Sequence, residues 1–306
     1  MIDLSYRGEY TKQFEAVLSD LTGIEYVLAT NTGTAALHLG YLVSGVEPNT
    51  EVLMPCITFV ATANALKYIG AIPHLLDIDD YLGIDINKTK KYLKNKLVKI
   101  QGKSYNKNTG RKVSAIVPVH LFGIPVNMDG ILDIAIDYNL IVVEDACQAL
   151  GSTYKGDHVG AFGDCGALSF NGNKIITTGG GGALLTRKKN LYDQALHLAT
   201  TGKTESGDHN CIAFNYRMSA WNALLGLSQI DILPHRIKAN NNKYKNCKER
   251  VIKDRKFTKP NHWRIGINKS MGQDLWKPLS ELPMYKGVPK DDLANAYRLY
   301  NEVNMI

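Results

Sequence analysis

The chain has 306 residues, 44% of them hydrophobic and 21% charged, which is ordinary globular composition and enough for a large core with a smaller attached piece. No apolar run is long enough to cross a bilayer, and Met1 to Arg7 lack a basic segment followed by an apolar one, so the expectation is a cytoplasmic protein without membrane contact. The net charge of +7 comes from two stretches, 88–112 and 236–259, that no recognised nucleic-acid module accompanies, so they read as solvated faces.

In chain order, apolar periodicity predicts helices at 9–22, 34–45, 60–69, 127–138 and 218–232, and a final helix from about 290. Asn127 can cap the fourth, with Asp129 favourable in its first turn. Strands are predicted at 51–55, 72–78, 113–120, 140–145, 166–170 and 182–186. Several are nearly continuous in Val, Ile and Leu, as in a sheet buried on both faces. Residues 103–112 read as an exposed loop. Alternating strand and helix predicts an α/β fold with a mostly parallel sheet. Near residue 233 the chain turns Lys- and Asn-rich, which suggests a large domain at 1–232 and a small one at 233–306.

Candidate chemistry begins at Asn31-Thr32-Gly33-Thr34-Ala35-Ala36, where glycine and hydroxyls run into an apolar helix. Such a junction offers free N–H groups and a positive dipole end to an anion, or is a plain N-cap by Thr32 or Thr34. It has neither the Walker nor the dinucleotide-binding glycine spacing. Phe59, where a strand meets a helix, is either core or a stacking platform. Asp145 ends an apolar strand, where α/β folds bind ligands, and could equally cap a helix; Glu144 would point to the other face. Lys174 follows Ser169-Phe170-Asn171-Gly172-Asn173 and precedes Gly179 to Gly182, with Asp164 its one charged neighbour within ten residues. Burial among small residues lowers a lysine's pKa and frees its lone pair. Together, the acid and the amine are what pyridoxal phosphate needs, a pyridinium partner and a Schiff-base lysine. Asp77-Ile78-Asp79-Asp80 fits a strand end and turn better than a magnesium site. No His-x-x-x-His zinc pair and no Gly-x-Ser-x-Gly elbow occur, and the five cysteines, odd in number and without Cys-x-x-Cys spacing, suggest reduced thiols; no metal is expected.

Six motifs in order, NTGTAALH, PCITFVATANA, VPVHLFG, VVEDACQALG, SFNGNKIITTGGGG and FNYRMS, resemble the DegT/DnrJ/EryC1/StrS sugar aminotransferases. The wording is similar to the branch acting on nucleotide-linked 4-keto-6-deoxy sugars in bacillosamine- or legionaminic-acid-type pathways. The resemblance implies a fold type I aminotransferase that moves an amino group from glutamate to a nucleotide-linked keto sugar by ping-pong chemistry on pyridoxal phosphate. It implies Lys174 as the catalytic lysine, Asp145 on the pyridine nitrogen, Gln148 near the ring hydroxyl and Phe59 on the ring face. Thr34, Ala35 and Ser169 would bind the phosphate, Asn215 would reach it from the neighbouring subunit of a homodimer, and His120 would lie on the sugar side. The chain begins close to the helix before NTGTAALH and is short between Thr258 and Trp276, so a truncated small domain is expected. Two alternatives stay open: a degenerate paralogue that binds cofactor without turnover, and an aminotransferase for a non-nucleotide cyclic ketone.

Overall fold

The computed structural model describes residues 8–306; Met1 to Arg7, where no leader is expected, lie outside them. Helix α1 (Glu9–Thr22) ends at Gly23, whose φ of 67° lies in the left-handed region, and β1 (Tyr26–Thr30) follows. Next come α2 (Gly33–Val43), β2 (Glu51–Pro55), α3 (Ala61–Tyr68), β3 (Ile72–Leu76), α4 (Ile86–Lys96), β4 (Leu97–Ile100), β5 (Lys103–Asn106) and β6 (Lys112–Ile116). Then α5 (Met128–Tyr138) leads to β7 (Ile141–Asp145), the short pair β8 (Thr153–Tyr154) and β9 (Asp157–His158), then β10 (Cys165–Ser169) and β11 (Gly182–Thr186). The helices α6 (Lys189–Ala199), α7 (Ala220–Ile230) and α8 (Leu233–Asn246) precede β12 (Thr258–Lys259), β13 (Gly266–Asn268), β14 (Gln273–Asp274), α9 (Ala294–Glu302) and β15 (Val303–Met305).

The main sheet has the order β1-β11-β10-β7-β6-β2-β3, with β5 added on β6 and β4 on β5. The strands β10, β7, β6, β2 and β3 are parallel to one another, while β11 runs antiparallel to both β10 and β1. This is the α/β sheet that the apolar strands predict. Successive side chains alternate between two buried cores, as a pleat buried on both faces requires. In β2, Val52 and Met54 enter one core and Leu53 the other. In β7, Val142 and Val143 divide the same way. Asn127 caps α5, its Oδ1 accepting from the Gly130 amide at 3.2 Å.

Residues 103–112 differ from the sequence reading. They form β5 and a turn that close over Glu51, which is fully buried at the start of β2. Glu51 accepts from Asn106 Nδ2 (2.8 Å) and Thr109 Oγ1 (2.5 Å), and His74 Nδ1 lies 2.8 Å away. A buried carboxylate needs such partners, and the polar residues of this stretch supply them.

Beyond α8, β13, β15 and β14 form a small antiparallel sheet. Leu275, Leu279, Tyr285 and Leu299 pack into the same core as α2 and α3. The Leu279 amide donates to the Cys56 carbonyl, and the Leu75 amide to that of Pro289, each at 2.9 Å. Buried Asp77 accepts from Lys88 Nζ and from the amides of Asn295 (3.1 Å) and Ala296 (2.7 Å) in the first turn of α9. Among the described residues, no helix is long and apolar enough to cross a membrane.

At the end of β7 the pleat turns Glu144 and Asp145 to opposite faces. Glu144 is fully buried and accepts from the amides of Gly160 (2.8 Å), Phe162 (2.7 Å) and Gly163 (2.8 Å). Glu144→Ala strands these donors, which costs about 3 kcal/mol or more of stability. Urea unfolding is expected to show a clearly lower midpoint, and an unchanged midpoint contradicts this accounting.

Candidate active site

Asp145 lies on the face of the sheet that α2 and α3 cover. Its Oδ2 accepts from the Thr62 hydroxyl of α3 at 2.7 Å, and its Oδ1 from the Cys147 amide at 3.1 Å. A carboxylate has about four acceptor positions, so these bonds fix its orientation and leave capacity for a cation. Asp145 borders a cavity of about 380 Å³ that also reaches Gly33, Thr34, Phe59, Gln148, Ser169 and Lys174.

Thr32 caps α2, its hydroxyl accepting from the Ala35 amide at 3.0 Å. Ala35, which the resemblance assigns to phosphate binding, therefore gives its N–H to Thr32. The amides of Gly33 and Thr34, at the first two helical positions, have no helical acceptor. Gly33 has no room for a side chain: an added Cβ would sit 2.8 Å from Ser169 Cβ and 3.1 Å from Cys147 Sγ. Gly182 of β11 is as restricted, since a Cβ there would come within 2.5 Å of the Gly33 nitrogen. Close backbone approach thus sets the helix end against Ser169 and the sheet.

Lys174 follows a tight turn in which its amide donates to Asn171 O at 2.9 Å. Its Nζ lies 4.2 Å from the centre of the Trp263 ring. Burial holds the Lys174 ammonium below the ordinary lysine value; the charge of Asp145 opposes this, and that of Arg264 adds to it. Burial and Asp145 hold the Cys147 thiol well above its usual range, so it enters the cavity as a neutral group. Phe59 is half exposed and meets Trp276 edge-on, with ring centres 6.2 Å apart. Gln148 accepts the Phe122 amide on Oε1 at 2.8 Å.

Besides Ala35, which does not line this cavity, two of the residues singled out in the sequence stand apart from it. His120 is fully buried. The Val126 amide donates to its Nδ1 at 3.2 Å, so the proton lies on Nε2, which donates to Glu144 at 3.1 Å. Asn215 is exposed, and its carbonyl accepts from Asn31 Nδ2 at 3.3 Å. Conversely, the cavity gains Trp263, Arg264, Gln273, Trp276 and Met305, which no motif reading assigns. They reach it through long-range packing, and Thr62 reaches Asp145 from 83 positions away. In a second cavity, of about 400 Å³, lined by Asp80, Lys253, Arg298 and Glu302, Arg298 pairs with both carboxylates.

The residues of the first cavity fit pyridoxal phosphate. They supply a lysine amine depressed by burial, a fixed carboxylate for a pyridine nitrogen, and a helix N-terminus without side-chain bulk for a phosphate. Comparison with known proteins agrees. The family model described as DegT/DnrJ/EryC1/StrS aminotransferase family matches residues 3–262. The GDP-perosamine synthase of Escherichia coli O157:H7 is 37% identical over 230 residues, 74% of this chain and 59% of its own length. The UDP-4-amino-4,6-dideoxy-N-acetyl-beta-L-altrosamine transaminase of Campylobacter jejuni serotype O:23/36 is 34% identical over 75% of this chain and 58% of its own length. The chain thus spans under two thirds of the length of these curated relatives. The crystal structure of a DegT DnrJ EryC1 StrS aminotransferase from Brucella abortus superposes with a TM-score of 0.89 at 25% identity, covering 97% of this chain and 84% of that one. By family model, relatives and fold alike, the chain belongs to the DegT/DnrJ/EryC1/StrS aminotransferase family.

Proposed function

We propose that this protein is a pyridoxal-phosphate-dependent aminotransferase that moves an amino group from glutamate to the 4-keto carbon of a nucleotide-linked 6-deoxy sugar. The observation that carries the reading is Lys174, an amine depressed by burial in the same cavity as the fixed carboxylate of Asp145. Relatives named as GDP- and UDP-sugar enzymes support the substrate class.

When bound, the cofactor supplies a protonated pyridine ring that accepts the electron pair left by proton loss at the donor's α-carbon. Asp145 keeps the ring nitrogen protonated, and Thr62 and the Cys147 amide hold that carboxylate in place. Gly33 and Thr34, with Ser169, bind the phosphate through free amides and a hydroxyl. Phe59 would cover a ring face, and Gln148 would lie near the ring edge. Lys174 Nζ takes the α-proton from the donor and returns a proton when the amino group passes to the sugar in a second half-reaction. The aromatic wall of Trp263 and Trp276 limits water at the amine.

A homodimer belongs to this reading. Asn215 is exposed, as a residue serving a neighbouring subunit's phosphate site must be. Ile212, three residues before Asn215, is 96% exposed and Trp221 59% exposed, apolar area that a partner subunit would cover.

Adding pyridoxal phosphate to the purified chain is expected to produce a visible absorption band that Lys174→Ala lacks and that glutamate bleaches. Absence of the band in the intact protein overturns the reading. A bleached band without product from a panel of nucleotide-linked keto sugars points to the degenerate paralogue, and product from a cyclic, non-nucleotide ketone to the other alternative. Because its pKa lies below the ordinary lysine value, the free amine of Lys174 forms at lower pH. Where an amine-selective reagent reaches it, labelling followed by peptide mass spectrometry is expected to rise with pH earlier at Lys174 than at the lysine of a short unstructured reference peptide. Coincident profiles contradict the depressed pKa. Thr62→Val removes the hydroxyl on Asp145 Oδ2 and is expected to lower kcat about tenfold with the band retained; an unchanged kcat rules out that positioning role.

A further inference from the structure

Trp263 and Arg264 belong to none of the motifs that point to the cofactor, yet both border the cavity that holds Lys174. The Trp263 indole N–H donates to the Asn173 carbonyl at 2.8 Å, which ties the ring to the residue before Lys174. The ring carries two cations. Lys174 Nζ lies 4.2 Å from its centre and Arg264 Cζ 5.0 Å. The Arg264 backbone is anchored as well, its amide donating to the Phe122 carbonyl at 3.5 Å.

Arg264 is half-buried, and its side chain makes no ion pair or hydrogen bond among the described residues. A guanidinium so placed has five N–H donors to offer and is held by one aromatic face. Asp145, the carboxylate in the cavity, makes no ion pair with Arg264, and its remaining acceptor capacity is the one assigned above to the pyridine nitrogen. Two cations sharing one ring in a partly dehydrated cavity repel each other, and an anion between them relieves this. The unmet partner of Arg264 is therefore an anion that arrives with a substrate.

We propose that Arg264 receives the α-carboxylate of the amino donor and so seats the donor's amine and α-carbon next to Lys174. The proposal rests on the transaminase reading above and adds the donor's binding group. In an α-amino acid the carboxylate and the amine share one carbon, so a carboxylate on Arg264 leaves the reacting carbon in reach of a lysine on the same indole. On a nucleotide-linked sugar the diphosphate hangs from the anomeric carbon, with the sugar ring between it and the ketone. A carboxylate also matches the guanidinium fork with two parallel hydrogen bonds, a geometry that an indole-backed arginine presents in advance. Arg264 acts here as a binding residue; the proton transfers stay with Lys174.

The test uses the full chain loaded with pyridoxal phosphate, as wild type, Arg264→Gln and Arg264→Lys. Two quantities are read: the glutamate concentration that half-bleaches the visible band, and the calorimetric Kd of glutarate, an unreactive dicarboxylate. Both are expected to rise about 10- to 100-fold in Arg264→Gln, as loss of a charge-assisted bidentate pair implies, and to recover in part in Arg264→Lys. The Kd of UDP or GDP, measured in parallel, is expected to stay within about twofold. Equal half-bleaching concentrations and glutarate affinities in wild type and Arg264→Gln overturn the assignment. So does a selective loss of UDP or GDP affinity, which gives the arginine to the nucleotide. An Arg264→Gln protein that forms no band while the wild type does gives it to the cofactor instead. If the wild type itself forms no band, the transaminase reading fails first, an outcome distinct from a band that forms and bleaches alike in all three proteins.

Discussion

Two adjacent carboxylates buried at the end of one strand set the terms for much of this molecule. The pleat of β7 sends Glu144 and Asp145 to opposite faces, so each needs its own compensation for leaving water. Glu144 obtains it from the amides of Gly160, Phe162 and Gly163 and from the Nε2 proton of His120. These contacts lock the chain that leads into β10, and β10 in turn delivers Ser169 and the turn before Lys174. Asp145 is compensated more sparingly, by one hydroxyl and one amide, and keeps acceptor capacity turned to the cavity. One residue saturates a structural need while its neighbour stays poised for a ligand. That division rests on alternation along a single strand.

Much of this was legible in the sequence because the informative residues are local. The strands at 51–55 and 182–186 coincide with β2 and β11, whose runs at 52–55 and 182–185 are unbroken by charge. The predicted strand at 113–120 overshoots β6, which ends at Ile116, although Val119 still bridges to Asp145. Other elements escaped because their pattern is set by distant partners. β5 reads as a loop in a Lys- and Asn-rich stretch until Glu51 is seen beneath it. Helix α4 buries only Thr89 and Leu93, too thin an apolar stripe to stand out. At the site, residues 31–35, 144–148 and 169–174 announce themselves by composition. Trp263, Arg264 and Trp276 do not, since what matters about them is where the returning chain places them. His120 stands out as a histidine at a strand end, but its two ring nitrogens are spent within the core.

The segment beyond α8 is fastened at several separate points. The Leu279 amide holds it to the end of β2, the Leu75–Pro289 bond to β3, and Asp77 grips the first turn of α9. Its apolar residues share a core with α2, the helix whose N-terminus borders the cavity. Movement of the aromatic wall therefore carries a packing cost shared with the sheet.

The order of synthesis gives the Trp263 wall a further significance. The turn bearing Lys174 leaves the ribosome well before Trp263, Trp276 and Met305 exist. Until those residues dock, the lysine stands in water as an ordinary ammonium, protonated and inert toward the aldehydes and ketones of the cell. Its low pKa is a property conferred by burial, and burial waits for the returning chain. The nascent protein thus carries its reactive amine in a masked form, and the final stage of folding unmasks it within a chamber already closed around it.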